Sequence, residues 1–175
     1  TAAPKPQAAP LRSGDFVPAL SKPQSAAEKK KLGAQAERAI AHQLNEAKSV
    51  FHPDLKAVYA EEAGNLLAIR RALAGHPRGD EADTQKLAGQ VKALLLEIVD
   101  LRVEGMKSLA ANPAGHDAIR KGESEAISLE LDLSRVYRFG FDKPQVDVRA
   151  LDQAIKKAVV DWVIGRGRSG GWSPP

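Results

Sequence analysis

At 175 residues with a formal net charge of +4, the chain has the length of one domain and room for an apolar core without metal or disulfide staples. It contains no Cys, which excludes thiol catalysis, a disulfide framework and a Cys-based zinc site. About one residue in six is Ala, the strongest helix former, only 5% are aromatic, and no run approaches the roughly 18 apolar residues of a membrane-crossing helix, so an all-β chain and a membrane span are both disfavoured.

Residues 1–24 hold Pro4, Pro6, Pro10, Pro18 and Pro23. Proline fixes φ and removes a donor, so this stretch reads as an extended or polyproline-like arm. Its apolar cluster, Leu11 with Phe16, Val17 and Leu20, is suited to docking on the chain's own body or on a neighbour. The start, Thr1-Ala2-Ala3-Pro4, fits removal of an initiator Met before a small residue better than a mature end left by signal cleavage. That favours the cytoplasm or an assembled particle over a periplasmic or secreted site.

A first helix is predicted from Ser25, where Ser25-Ala26-Ala27-Glu28 spells a capping box. Its apolar stripe is Ala36, Ile40, Leu44, Ala47 and Phe51, and His52-Pro53 stops it because the residue before Pro disfavours the helical region. Asp54 is the expected cap of a second helix that buries Leu55, Tyr59, Ala63, Leu66 and Leu73 and stops at Gly75-His76-Pro77. Arg70 falls on that stripe and reads as a boundary side chain with its head toward water, in preference to the partner of a buried acid. A third helix from about Asp83 to Ala111 has one seam at Leu87, Val91, Leu94, Ile98, Leu101 and Gly105, and a second at Leu95, Val99, Met106 and Leu109. Two seams require two neighbours, which makes this helix central; Gly105 reads as a close helix approach, with a surface kink as the alternative.

Asn112-Pro113 reads as the start of a fourth helix, with Ile119, Gly122, Ala126, Leu129, Leu133 and Val136 inward and a stop at Gly140. Small residues at its start and large ones at its end predict a tapered interface. Asp147 caps a fifth helix with Val148, Leu151, Ile155, Ala158, Val159 and Trp162 inward, ending at Gly165. Residues 165–175 are Gly-, Arg- and Ser-rich and read as a flexible or partner-bound tail. The expectation is an all-α, antiparallel four- to five-helix bundle over residues 25–164, between an extended arm (1–24) and a Gly/Arg-rich tail (165–175), with the fifth helix as a cover or an element offered to a partner.

Chemistry-bearing motifs are sparse. Residues 165–170 match GxGxxG and 167–171 match GxSxG, but the first lacks a preceding strand and the second a downstream His. None of His42, His52, His76 and His116 stands in a spacing that builds a metal site, so no metal or cofactor is expected. Glu123, Glu125, Glu130 and Asp132 crowd the fourth helix and read as a solvated charged face. Arg78-Gly79-Asp80 reads as an exposed polar loop.

Charge lies at the ends. Residues 1–24 carry Lys5, Arg12 and Lys22 against Asp15, and the tail carries Arg166 and Arg168, which leaves the body neutral. A nucleic-acid-binding domain ordinarily shows its basic excess on the folded body. The leading expectation is therefore a non-enzymatic structural or adaptor subunit, homo- or hetero-oligomeric, that docks on other proteins through Leu11, Phe16, Val17, Arg166, Arg168 and Trp172. The alternatives are nucleic-acid binding or DNA packaging through the basic tails, and a periplasmic or secreted ligand-binding bundle.

Overall fold

A computed structural model describes residues 11–74 and 82–169. Among these the chain is all-α, with no strand and with antiparallel helix packing. A 3₁₀ turn, Ser13–Phe16, leads into α1 (Val17–Leu20), followed by α2 (Ala26–Lys48), α3 (Pro53–Leu73), α4 (Ala82–Ala111), α5 (His116–Arg138) and α6 (Val148–Ser169). Packing divides the chain into two units, with the boundary at Leu94 and Leu95 inside α4.

The first unit is organised by α2 against α3. Ser25 caps α2, its hydroxyl accepting from the Glu28 amide at 3.2 Å. The predicted Ala36, Ile40, Leu44 and Ala47 are buried, but Phe51 is 87% exposed. The reason is that α2 stops at Lys48, so Phe51 lies beyond the helical register in the turn before Pro53. α3 is capped by His52, whose Nδ1 accepts from the Asp54 amide at 3.1 Å; Asp54, the expected cap, sits inside the first turn. Leu55 is also exposed, because the buried stripe runs through Ala57, Ala60, Ala63, Gly64 and Leu67 instead. Small residues win that face because they let the α2 and α3 backbones approach. α3 ends at Leu73, and the expected Gly75-His76-Pro77 stop and the Arg78-Gly79-Asp80 loop lie outside the described residues.

Residues 13–20 are helical where an extended arm was expected. Asp15 accepts from the Arg12 amide at 2.8 Å, and Pro18 falls in the first turn of α1, where a missing N–H costs nothing. The Gln24 amide then closes the turn, donating to the Ala19 and Lys22 carbonyls.

The second unit holds the C-terminal half of α4 with α5 and α6, the last two packed on each other. Of the seam predicted on α4, Ile98 is buried here, but Leu101 is partly exposed and Gly105 is open: a Cβ there would meet nothing within 4 Å. The close approach is at Gly122 instead, where a Cβ would lie 3.0 Å from Ile155 Cδ1 of α6. Asn112-Pro113 does not start α5. Gly115, at φ +67°, turns the chain into the helix at His116. Gly140, at φ +86°, ends it in a Schellman arrangement, its amide reaching the Tyr137 carbonyl and the Phe141 amide reaching that of Val136. Asp147 caps α6 as expected, accepting from the Ala150 amide at 2.9 Å. α6 does not stop at Gly165 but continues to Ser169. Gly165 keeps a negative φ, and the Arg166 guanidinium stacks 5.0 Å from the Trp162 ring one turn back, a contact that bridges it.

Candidate functional site

The sequence-predicted partner residues separate by environment. Phe16 is 1% exposed, an anchor of the N-terminal turn on its own unit, while Val17 is 58% exposed and Leu11 half-buried. The anchoring is polar as well: the Ser13 amide and hydroxyl donate to the two Glu62 carboxylate oxygens of α3 at 2.5 and 3.1 Å. Arg166 is exposed on α6. Arg168 falls in the last turn of α6 with its side chain outside the described part, and Trp172 lies outside the described residues.

The charged cluster of α5 is not uniformly solvated. Glu123 and Glu130 face water, Glu125 is half-buried, and Asp132 is 1% exposed. Asp132 accepts from Arg102 Nε of α4 at 2.6 Å and from Arg135 Nη1 at 2.5 Å, and Arg102 Nη1 also reaches Glu125 at 3.4 Å. Arg102 is itself 3% exposed. Two guanidinium groups on one buried carboxylate satisfy its lone pairs and fix the α4–α5 register in this unit. Each oxygen of the carboxylate accepts from one guanidinium, and the group is closed to solvent.

Two further polar anchors brace the first unit. Arg70 Nε donates to Glu37 Oε1 at 2.9 Å, its guanidinium lying over Gly33 of α2, so this boundary side chain does pair with an acid on another helix. Lys56 is buried, and its ammonium donates to the Ala47 carbonyl at 3.0 Å, a cation at the carboxyl end of α2.

Besides Val17, several groups of apolar side chains among the described residues face water. Leu55 and Val58 lie three residues apart near the start of α3, and Phe51 is exposed in the turn that precedes it. Ile127 and Leu131 of α5 border an open groove of about 310 Å³ with Ala126, Glu130, Ser134 and Val148. Val160, Val163 and Ile164 face outward on α6. Beside them the hydrogen bond and charge of Asp152, with Glu123 adding to it, hold Lys156 above the usual lysine range, and Asp161 does the same for Lys157. A raised pKa means that the stability from each pair is complete below the ordinary lysine value and is lost as pH rises through the raised one.

Among the described residues no three His, Asp or Glu side chains are grouped to hold a metal ion, and no helix is long and apolar enough to cross a membrane. No family model, curated protein or solved structure matches the chain. The class that fold and surface define is thus an all-α protein of two helical units.

Proposed function

We propose that this chain is a non-enzymatic helical structural or adaptor subunit that docks on other protein subunits within a larger assembly. The observation that carries the reading is the outward group Phe51, Leu55 and Val58. Large apolar side chains, one of them aromatic, exposed close together in sequence are costly in water and characteristic of an interface. Val17, next to the buried Phe16, adds an outward apolar side chain on a segment held to its own unit. The sequence supports the same reading, since it carries no motif in a context that catalysis needs.

The test is native mass spectrometry of the protein isolated at endogenous level, beside a Phe51→Ser/Leu55→Ser variant with an unchanged helical spectrum. The expected result is a complex of fixed stoichiometry for the natural chain and its loss in the variant. A natural chain that runs as a monomer in its native extract refutes the proposal.

A further inference from the structure

We infer that the outward face of the C-terminal half of α6 is a contact surface for an anionic lipid bilayer, on which the helix lies without crossing. The buried side of α6 is clear: Val148, Ile155 and Val159 turn toward the unit's interior. About a third of the way round the helix from that side stand Val160, Val163 and Ile164, exposed by 54%, 44% and 49%. These positions fall within about 100° of one another on a helix, so they form one patch. On the same outward side, one to three turns earlier, stand Lys157, Lys156 and Arg149, while Arg166 is exposed just C-terminal to the patch, on the Trp162 side of the helix.

Charge selects the partner. α6 spans Arg149, Lys156, Lys157, Arg166 and Arg168 against Asp152 and Asp161. Five cations against two acids place most of the chain's net charge of +4 within one helix of 22 residues. Lys156 and Lys157 are bonded to Asp152 and Asp161 at 2.8 and 2.7 Å, so the helix presents a positive surplus rather than bare ammonium groups. Aliphatic side chains between cations match the two layers of a bilayer surface, the acidic headgroups and the acyl boundary beneath them. A nucleic-acid backbone answers only the cations. It offers nothing to bury valine and isoleucine, and the Trp162 ring of α6 is half-buried with Arg166 over it.

The inference is independent of the protein-docking role, which rests on α3. It is tested with the full chain by co-sedimentation on phosphatidylcholine vesicles with and without phosphatidylserine, with labelled duplex DNA as a second arm. The expected result is binding to the serine-lipid vesicles only, weakened about fivefold for each cation removed, as in Lys157→Gln and Arg166→Gln. Val160→Ser/Val163→Ser/Ile164→Ser, whose positions face water, keeps the helical spectrum and loses at least about tenfold in vesicle affinity. Absence of binding to serine-lipid vesicles overturns the inference. So does equal vesicle binding by the triple serine variant, or DNA binding that the triple variant retains and that exceeds vesicle binding.

Discussion

At the residue scale the most consequential side chain is Asp132. Its sequence neighbours, Glu130 and Ser134, face water, and four acids within ten residues suggest a solvated face. The structure buries it between Arg102 and Arg135. The signal was present as a gap. Leu95, Val99, Met106 and Leu109 repeat at four, seven and three, and the missing member of that series is Arg102. On α5, Asp132 stands between Leu129 and Val136 in the same rhythm. A charged residue on each of two facing seams is legible as a pair only once the helices are known to face, which one sequence does not supply. Removing Asp132 takes the short contact from the buried Arg102 guanidinium and leaves it Glu125 at 3.4 Å, so Asp132→Ala costs about 3 kcal/mol of stability, the low end for breaking a buried pair. Urea unfolding monitored by circular dichroism measures it. The double change Arg102→Met/Asp132→Leu regains most of the loss, because a buried pair replaced by packed apolar groups is near neutral.

Elements were legible where capping and periodicity agree. Ser25 and Asp147 each start a helix as predicted, and the large residues of α5, Leu129, Leu133 and Val136, lie inward. Helix boundaries depend on backbone φ, which residue type alone does not fix. Asn112-Pro113 has the composition of a helix start, yet the positive φ of Gly115 decides where α5 begins. Gly165 has the composition of a stop, yet no left-handed turn follows it, and the Trp162–Arg166 contact carries the helix past it. Glycine ends a helix when its φ is used, and otherwise costs only about 1 kcal/mol of propensity. At Gly122 the requirement is space. A side chain there meets Ile155 Cδ1 and Cγ2 at 3.0 and 3.1 Å. Gly122→Leu therefore overpacks the α5–α6 contact and lowers stability by about 1–3 kcal/mol, while Gly105→Leu, which meets open space, leaves it unchanged or raised. Thermal unfolding of the two variants side by side checks the contrast.

On the scale of the whole molecule, the all-α class is legible from composition together with the capping and periodicity of the helices, while the surface is not. Phe51 and Leu55 fit apolar stripes by their spacing, yet both face water. The distribution of charge was readable, since it needs only counting, and it limits how the chain meets nucleic acid. With the body from 25 to 164 neutral overall, the cationic excess lies in residues 1–24, with Lys5, Arg12 and Lys22, and in α6, with Arg149, Lys156, Lys157, Arg166 and Arg168. Duplex DNA binding, measured by anisotropy across salt concentrations, should then show a log–log slope no steeper than about −7, about eight phosphates at about 0.9 each. A steeper slope assigns a nucleic-acid role to the helical surface outside α6. The alanine-lined contact between α2 and α3 has a separate consequence, for the directions in which this protein tolerates change. Leucine-filled cores punish loss of volume, since each deleted methylene leaves a hole. At Ala36, Ala39, Ala60 and Ala63, all at most 1% exposed, there is little left to delete and no room to grow. Saturation mutagenesis should find these four sites admitting Gly and Ser more readily than Val, Leu or Phe, with the order reversed at Ile40 and Leu67.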